Sequence, residues 1–285
     1  YDRHPTSQVV TIGGEDIMLD CGEGTQMQMQ RYGIKWAKIN HIFISHLHGD
    51  HYFGLPGLIT TMSLQQRTAP LHVYGPPQLK DMIDAMLSVS GTQIFYPFHY
   101  HHLEANTGYE LLADTKTFTV HCFPVEHRIG CHGFLITNKT KGRKLLTEKC
   151  REYEIPAYYY DKLKQGADYE RANGELIKNE WLTAEGPDAK KYAYCADTLF
   201  TESFLPYIKN ADTIYHETTY LEADMEKATL RYHSTAKQAA QIAKLAGAKQ
   251  LLIGHFSSRY KDLDPFLTEA SAVFANTKIT YEGTT

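Results

Sequence analysis

Residues 46–51 place four metal-binding side chains in six positions, and no other feature restricts the fold of this chain as much. The segment reads His46-Leu-His-Gly-Asp-His51. Imidazole and carboxylate groups are ligands that zinc accepts. Because side chains two positions apart point the same way from an extended loop, His46 and His48 are expected to bind one ion. Asp50 and His51 are expected to face a second ion nearby. The alternative is a histidine-rich surface loop.

The cluster follows a short apolar run and precedes a glycine turn, which places it in a loop after a buried strand. Ile42, Phe43 and Ile44 make the apolar run, and Gly54 and Gly57 bracket the turn. Strand-like and helix-like runs alternate elsewhere, which predicts a layered α/β architecture. The predicted strands span residues 8–11, 15–19, 71–74, 116–123, 133–137, 192–196, 213–216 and 250–254. The predicted helices span residues 25–32, 55–66, 79–87 and 235–246, the last with Ser234 or Thr235 as its cap.

Composition limits the class of protein. The 285 residues, 42% of them hydrophobic, predict a single domain over residues 1–285 with an insertion at 139–191. The net charge of −4 excludes a binder that relies on overall positive charge, so any RNA contact has to be regional. Five scattered cysteines favour a reducing compartment, here the cytoplasm, without disulfides. No long apolar run is present, so no membrane association is expected. The chain begins with Tyr1 rather than Met, and a further N-terminal segment is expected.

Three more metal-binding side chains follow strand-like runs. His127 lies just beyond Phe123, Asp197 follows residues 192–196, and His255 follows residues 251–254. Taken singly, each is as readily a structural residue or a turn former. Taken together with the cluster, they complete two ligand sets that share Asp197 and leave room for water. The two sets are His46, His48, His127 and Asp197, and Asp50, His51, Asp197 and His255.

Read with these ligands, the sequence resembles the metallo-β-lactamase superfamily and, within it, the ribonuclease Z family. The resemblance covers nearly the whole chain, and segments 216–219, 233–235 and 255–260 separate it from β-lactamases and glyoxalases. The sequence departs from the family at Ala196, where many members have glycine. The shared segments are His46-Leu-His-Gly-Asp-His51, Phe53-Gly-Leu-Pro-Gly57, Asp20-Cys-Gly-Glu-Gly-Thr25, Pro124 to His127, Cys195-Ala-Asp-Thr198, His216-Glu-Thr-Thr219, His233-Ser-Thr235 and His255-Phe-Ser-Ser-Arg-Tyr260.

The resemblance implies a fold and an activity. The fold is an αββα sandwich of two mixed β-sheets flanked by helices, with the metals at one sheet edge. The activity is endonucleolytic removal of the 3′ trailer from precursor tRNA, which leaves a 3′-hydroxyl on the tRNA. The implied cofactors are two Zn²⁺ ions per chain, with Mn²⁺ or iron left open. A homodimer is implied as well.

The resemblance also implies roles for individual residues. Asp50 orients or deprotonates the attacking water. Glu217 and His233 form a proton-donating pair for the leaving oxygen; taken singly, each would be assigned as a structural residue. Arg259, two residues beyond Ser257, is expected to hold a phosphate, and we include both residues in the substrate site.

The inserted region holds a basic cluster that is a candidate for RNA contact. Lys141, Arg143 and Lys144 are the expected contacts with the phosphate backbone, and a solvated surface is an equally good explanation. In the family this region carries an arm that grips the tRNA, often through a Gly-Pro-rich stretch. Here residues 155–161 read Ile-Pro-Ala-Tyr-Tyr-Tyr-Asp instead. These tyrosines suit stacking on RNA or packing in a core. Asn173-Gly174 predicts a hairpin turn.

Two other functions remain open from sequence. A metallo-phosphodiesterase acting on small cyclic or bis-ester substrates would keep the metal residues but would not need the basic region. A non-catalytic RNA-binding scaffold would not need the metal residues, all of which are present. The histidine-rich run at residues 98–102 is predicted to be a packed or surface strand rather than a metal site.

Overall fold

The computed structural model describes residues 3–139 and 142–283. Within these residues the strands, β1 to β16, are Gln8–Ile12, Glu15–Leu19, Ile39–Phe43, Leu71–Gly75, Phe98–His102, Glu110–Asp114, Phe118–Val125, Cys131–Asn138, Lys144–Leu145, Tyr169–Glu170, Leu176–Ile177, Thr183–Ala184, Lys191–Tyr194, Thr213–Glu217, Gln250–Gly254 and Thr277–Ile279. The helices, α1 to α11, are Thr25–Arg31, Gly49–Tyr52, Leu55–Leu64, Pro77–Ser90, Thr147–Glu152, Tyr160–Lys164, Asn179–Leu182, Leu205–Ile208, Met225–Leu230, Ala236–Leu245 and Asp264–Ser271. Short 3₁₀ turns cover Trp36–Lys38, Ala157–Tyr159 and Glu222–Asp224.

The chain divides into two compact units. The larger unit comprises residues 1–137 and 191–285, and the smaller comprises residues 138–190. The boundaries of the smaller unit lie within one residue of the insertion predicted at 139–191.

Two mixed sheets form the larger unit. One has five strands in the order β1-β2-β3-β4-β5, and the other has seven in the order β16-β15-β14-β13-β8-β7-β6. In the first sheet β1 and β2 pair antiparallel, while β2 to β5 run parallel. In the second, β13 to β16 run parallel, and β8 pairs antiparallel with β13. Each sheet therefore mixes both pairings, as the sequence predicted.

Three apolar cores hold these layers together. Between the sheets, Phe43 and Tyr74 pack with Phe134 and Tyr194. On the outer face of the first sheet, buried residues of α3 and α4 pack against β3 and β4. On the outer face of the second sheet, α10 and α11 cover β14 and β15. Helices thus cover both outer faces, and the predicted αββα sandwich is confirmed.

The chemically important loops follow strand ends. Residues 46–51 follow β3, Asp197 follows β13, Glu217 ends β14 and His255 follows β15. Parallel strands bring their carboxyl ends to the same edge of a sheet, so these loops gather there. Because the backbone must turn sharply at that edge, non-glycine residues adopt positive φ angles: Asp20 at 56°, Ala196 at 48° and His255 at 57°. The left-handed backbone at Ala196 is a conformation that favours glycine, the residue expected here from the family resemblance.

The predicted helices and strands form, with differences at their ends, whereas β6, β16, α8, α9 and α11 are among the elements that were not predicted. The predicted hairpin of residues 8–19 forms, with Gln8 paired to Leu19. Helix α10 begins at the predicted cap, since Thr235 accepts from the backbone N–H of Gln238 in a capping box. Residues 98–102 form strand β5, as expected. The prediction of an extended loop over residues 46–51 was wrong in part, because Gly49–Tyr52 forms the helical turn α2.

The smaller unit has its own core, which contains Cys150, Leu163, Ile177 and Leu182. The predicted turn at Asn173-Gly174 is confirmed, since it joins β10 and β11 in an antiparallel hairpin. Of the three successive tyrosines, Tyr159 and Tyr160 pack against this core, while Tyr158 is 80% exposed.

Two further expectations concern cysteines and membranes. All five cysteines are free, and all five are buried. Within residues 3–139 and 142–283, no helix has the length and apolar character needed to span a bilayer.

Candidate metal centre

One group of ligand atoms comprises three histidines and an aspartate from three loops. Nε2 of His46 lies 3.0 Å from Nδ1 of His48, and that Nδ1 lies 3.1 Å from Nε2 of His127. Oδ2 of Asp197 lies 3.8 Å from Nε2 of His46. All four residues present a donor atom within 4.8 Å of the others. The structure therefore brings together the first predicted ligand set.

A second group lies beside the first and comprises Asp50, His51 and His255. Nε2 of His51 lies 3.8 Å from Oδ2 of Asp50, and Nε2 of His255 lies 3.4 Å from the same oxygen. Asp197 also reaches this group, with Oδ2 3.4 Å from Nε2 of His51 and Oδ1 3.5 Å from Nε2 of His255. One carboxylate thus contacts both groups, as the second predicted set requires.

These spacings fit two tetrahedral metal ions. At a metal–nitrogen distance of about 2.0 Å, tetrahedral ligand atoms lie about 3.3 Å apart. The separations within the two groups run from 3.0 to 3.8 Å around that value. Furthermore, Nε2 of His51 is fully buried without a hydrogen-bond partner. A buried nitrogen without a partner is costly unless an ion occupies the space before it. The residues present therefore fit a dinuclear centre.

Asp20 orients His51 through the ring nitrogen that faces away from the metal groups. Sequence reasoning did not assign this role. Its carboxylate is fully buried and accepts from Nδ1 of His51 at 2.7 Å. It also accepts from the hydroxyl of Tyr194 at 2.6 Å and from the backbone N–H of Ser45 at 2.7 Å. A carboxylate on the remote nitrogen fixes the tautomer that directs Nε2 at the ion. The signal was present in the sequence, since Asp20 follows a strand-like run as Asp197 does.

The other histidines have similar outer contacts. Nδ1 of His46 lies 3.0 Å from the hydroxyl of Ser45, and Nδ1 of His127 lies 2.8 Å from the carbonyl oxygen of Tyr232. Nδ1 of His255 lies 2.9 Å from the hydroxyl of Thr219. Each contact leaves Nε2 free to face the centre. These partners hold the rings in place before any ion binds.

Replacing Asp20 with asparagine is expected to weaken metal binding by about 10–100-fold, because the amide no longer fixes the His51 tautomer. Metal content after dialysis against graded chelator concentrations measures the effect. Asp16→Asn is the control. Asp16 is a nearly buried carboxylate on β2, the strand that precedes Asp20. Equal metal retention in the Asp20 variant and the wild type would show that His51 does not depend on this contact.

Glu217 and His233 form a hydrogen-bonded pair next to the second group. Nδ1 of His233 lies 2.9 Å from Oε1 of Glu217, which is fully buried. The carboxylate also accepts from the backbone N–H groups of Ser234 and Thr219, both at 2.9 Å. The ring of His233 stacks against that of His255 at a centroid distance of 5.6 Å. The pair is thus rigidly placed at the edge of the metal centre.

The pair favours a charged carboxylate and a protonated imidazole. Burial alone would raise the pKa of Glu217, but the charge and hydrogen bond of His233 lower that pKa below its ordinary value. Burial alone would lower the pKa of His233, but the charge and hydrogen bond of Glu217 raise it above its ordinary value. His233 also lies within 4.8 Å of donor atoms of Asp197 and His255.

Arg259 lies at the surface near this pair. Its guanidinium sits 5.5 Å above the ring of Tyr220, whose centroid is 6.2 Å from that of His233. The loop carrying Arg259 is fixed by backbone contacts, because the N–H of Ser257 donates to the carbonyl oxygen of Thr219 at 3.2 Å. The Arg259 side chain is 41% exposed, and its Nη1 lies 3.9 Å from Oδ1 of Asp224.

The predicted basic contacts of the insertion lie in the smaller unit. Lys144 is exposed on β9. Arg143 is half-buried, and its Nε donates to the hydroxyl of Thr183 at 2.7 Å. Lys141 lies outside the described residues.

Comparisons with known proteins identify the class. A crystal structure of a Bacillus subtilis metallo-β-lactamase fold protein matches with a TM-score of 0.67 at 19% identity, covering 99% of this chain and 91% of that one. Human tRNase Z, short form, matches with a TM-score of 0.70 at 28% identity, covering 99% and 92%. The sandwich and the clustered histidines at its strand ends therefore define a metallo-β-lactamase fold protein.

Curated relatives narrow this class to one family. Ribonuclease Z of Bacteroides fragilis is 42% identical over 281 residues, which cover 98% of this chain and 92% of that protein. Ribonuclease Z of Cytophaga hutchinsonii is 46% identical over 284 residues, covering 99% and 90%. The chain belongs to the ribonuclease Z family. A family model described as Anti-Pycsar protein Apyc1 matches residues 2–143, which include the cluster at residues 46–51.

Proposed function

We propose that this chain is a metal-dependent endoribonuclease that removes the 3′ trailer from precursor tRNA and leaves a 3′-hydroxyl. The observation that carries the proposal is the buried Glu217–His233 pair beside the metal groups, in a chain related to ribonuclease Z over nearly its full length. A metal centre alone suits many hydrolases, whereas a proton donor at this position suits a substrate whose leaving oxygen is strongly basic.

The seven side chains of the two groups would hold two divalent ions. Five imidazoles and two carboxylates suit zinc best, with manganese or iron as other candidates. Two such ions would acidify a water molecule and draw charge from the scissile phosphate.

Asp50 is the group we assign to the attacking water. Its side chain is 49% exposed, in contrast to the buried Asp197, which is 4% exposed. Oδ2 faces His51 and His255, and the rest of the carboxylate is free to contact water and substrate. From that position it can accept a proton from water as the phosphate is attacked.

His233 is the group we assign to the leaving oxygen. The ribose 3′ oxygen needs a proton as its bond to phosphorus breaks. Glu217 binds Nδ1 of His233 and favours the protonated ring, so the remaining Nε2–H is the donor. Arg259 would hold a neighbouring phosphate, since a guanidinium binds phosphate oxygens in a fork.

The smaller unit is the proposed arm for the body of the tRNA. Lys144 and the exposed Tyr158 are its candidate contacts, one for phosphate and one for stacking. Arg143 contributes by its charge, because its Nε already binds Thr183. Lys141 completes the proposed basic set.

We propose that the chain forms a homodimer through the outward-facing sides of α3 and α4, the helices that cover the first sheet. Several large apolar side chains of α3 and α4, and that of Phe95 beyond α4, are exposed. The exposed residues are Leu64 at 80%, Met82 at 38%, Met86 at 51%, Val89 at 91% and Phe95 at 77%. Cytoplasmic location is proposed from the substrate and the five reduced cysteines.

Removal of the smaller unit tests this function. The backbone N–H of Asn138 donates to the carbonyl oxygen of Lys190 at 3.0 Å, so a short Gly-Ser linker can join the two ends. We expect kcat/KM for a 3′-extended precursor tRNA to fall by about 100-fold, or about 2.7 kcal/mol of transition-state binding. Turnover of bis(p-nitrophenyl) phosphate is expected to change by less than about twofold, because that substrate is too small to need the arm.

The same two substrates are also compared with the wild-type chain. If it hydrolysed the small diester far more efficiently than the precursor tRNA, the small-substrate phosphodiesterase would be the better assignment. If removal of the smaller unit left tRNA cleavage unchanged, the arm assignment would be wrong.

A further inference from the structure

Four histidines away from the metal centre lie together on one face of the five-stranded sheet. His41 is on β3, His72 on β4, and His99 and His101 on β5. Register places His41 opposite His72, and His72 opposite His99. His101 shares their face, because side chains two positions apart on a strand point the same way. The proposed nuclease reaction uses none of these side chains.

His72 is the centre of this histidine row. Its ring centroid lies 5.0 Å from that of His41, 4.8 Å from that of His99 and 5.2 Å from that of His101. One contact is much closer than stacking, since Nδ1 of His72 lies 2.9 Å from Nε2 of His101. The row is therefore a set of imidazole nitrogens with one pair in direct contact.

The close pair has the spacing of two ligands on one metal ion. Adjacent nitrogens at right angles on an ion, each about 2.1 Å from it, lie about 3.0 Å apart. The contacts within the first group of the metal centre have nearly the same length, at 3.0 and 3.1 Å. Ions of the copper, nickel and zinc type prefer such imidazole ligands.

The environment keeps these nitrogens available and accessible. Burial lowers the pKa of His72 and of His101, so both rings are neutral at neutral pH. Neutral imidazole is the form that binds metals. His99 is exposed at the open side of the row, which gives an ion a path from solvent. His41 lies at the inner end of the row. Its ring packs edge-to-face with that of Phe118 at a centroid distance of 5.7 Å.

Contrary to the sequence prediction for residues 98–102, we propose that the pair His72 and His101 forms a second binding site for one divalent transition-metal ion, with His99 at its exposed side. The site is distinct from the candidate metal centre, because neither His72 nor His101 belongs to the ligand groups of that centre. It goes beyond the nuclease function and does not depend on it.

Nickel titration of the zinc-loaded protein tests the proposal. After removal of excess zinc, calorimetry and metal analysis are expected to find one Ni²⁺ per chain in addition to the zinc already bound. The double variant His72→Asn, His101→Asn is expected to lose this nickel and keep its zinc. His102→Asn is the matched control, because this exposed histidine lies on the same strand with its side chain on the opposite face.

Three results would overturn the site. The first is that the wild type binds no nickel, which would make the contact between His72 and His101 an ordinary hydrogen bond. The second is that the double variant binds as much nickel as the wild type. The third is that His102→Asn loses nickel binding. Should the double variant fold poorly, the Cu²⁺ complex of the wild type decides by electron paramagnetic resonance. Splitting from imidazole nitrogens is expected, and a spectrum of oxygen ligands alone would contradict the proposal.

Discussion

Replacing Asp197 with asparagine is expected to lower kcat for precursor tRNA by about 10³-fold or more. The carboxylate of Asp197 contacts both groups, with Oδ2 3.8 Å from Nε2 of His46 in the first and Oδ1 3.5 Å from Nε2 of His255 in the second. Loss of even an outer contact costs about 10–100-fold per site, and this change removes a ligand from both groups. Asparagine keeps the shape of the side chain, so the loss reports on charge and ligation. Metal content is expected to fall together with kcat.

The control for this variant is Asp212→Asn. Asp212 directly precedes β14, and its Oδ1 lies 2.8 Å from Nζ of Lys249, which directly precedes β15. This ion pair therefore lies at the strand ends away from the metal groups. Its replacement is expected to leave metal content and kcat near wild type. Full metal content and activity in Asp197→Asn would contradict a shared carboxylate between two ions.

Replacing His233 with alanine is expected to lower kcat for precursor tRNA by about 10²–10⁴-fold, which is the usual contribution of a positioned proton donor. The loss should be much smaller with bis(p-nitrophenyl) phosphate, because p-nitrophenolate leaves without protonation. Glu217→Gln is expected to give an intermediate loss, since the imidazole remains but loses the carboxylate that favours its protonated form.

Metal analysis of the same variants separates the two roles open to His233. As a proton donor, its loss leaves the metal content unchanged. His233 also lies close to Asp197 and His255, so a role as ligand predicts loss of an ion instead. A fall in metal content, with equal losses on both substrates, would show that the assignment as proton donor is wrong.

The layer architecture and the clustering of ligands could be predicted because they follow from local patterns. Apolar runs followed by His or Asp repeat at His46, Asp197 and His255, and parallel strands gather such ends at one edge. The αββα sandwich was predicted only through the family resemblance, because strand periodicity does not state which strands share a sheet.

The features that sequence reasoning missed depend on contacts between distant segments. Asp20 contacts His51 across 31 positions and Tyr194 across 174. The position of Asp20 after a strand-like run is visible in the sequence, but its contact with His51 is not. The helical turn at Gly49–Tyr52 was missed because a four-residue helix is too short to show a period. Arg143 directly precedes β9 and donates to Thr183 of β12, and no pattern in the sequence indicates that β9 and β12 pair.

The most direct measurement of the central claim is the end chemistry of a cleaved precursor tRNA. The metal-loaded chain is incubated with a 3′-extended precursor, and the products are mapped to the nucleotide, with Asp50→Ala as the matched variant. We expect one cut at the start of the trailer, a 3′-hydroxyl on the tRNA, and no cut with the variant or with chelator. Cleavage by Asp50→Ala equal to wild type, or a product ending in a 3′-phosphate, would contradict the account.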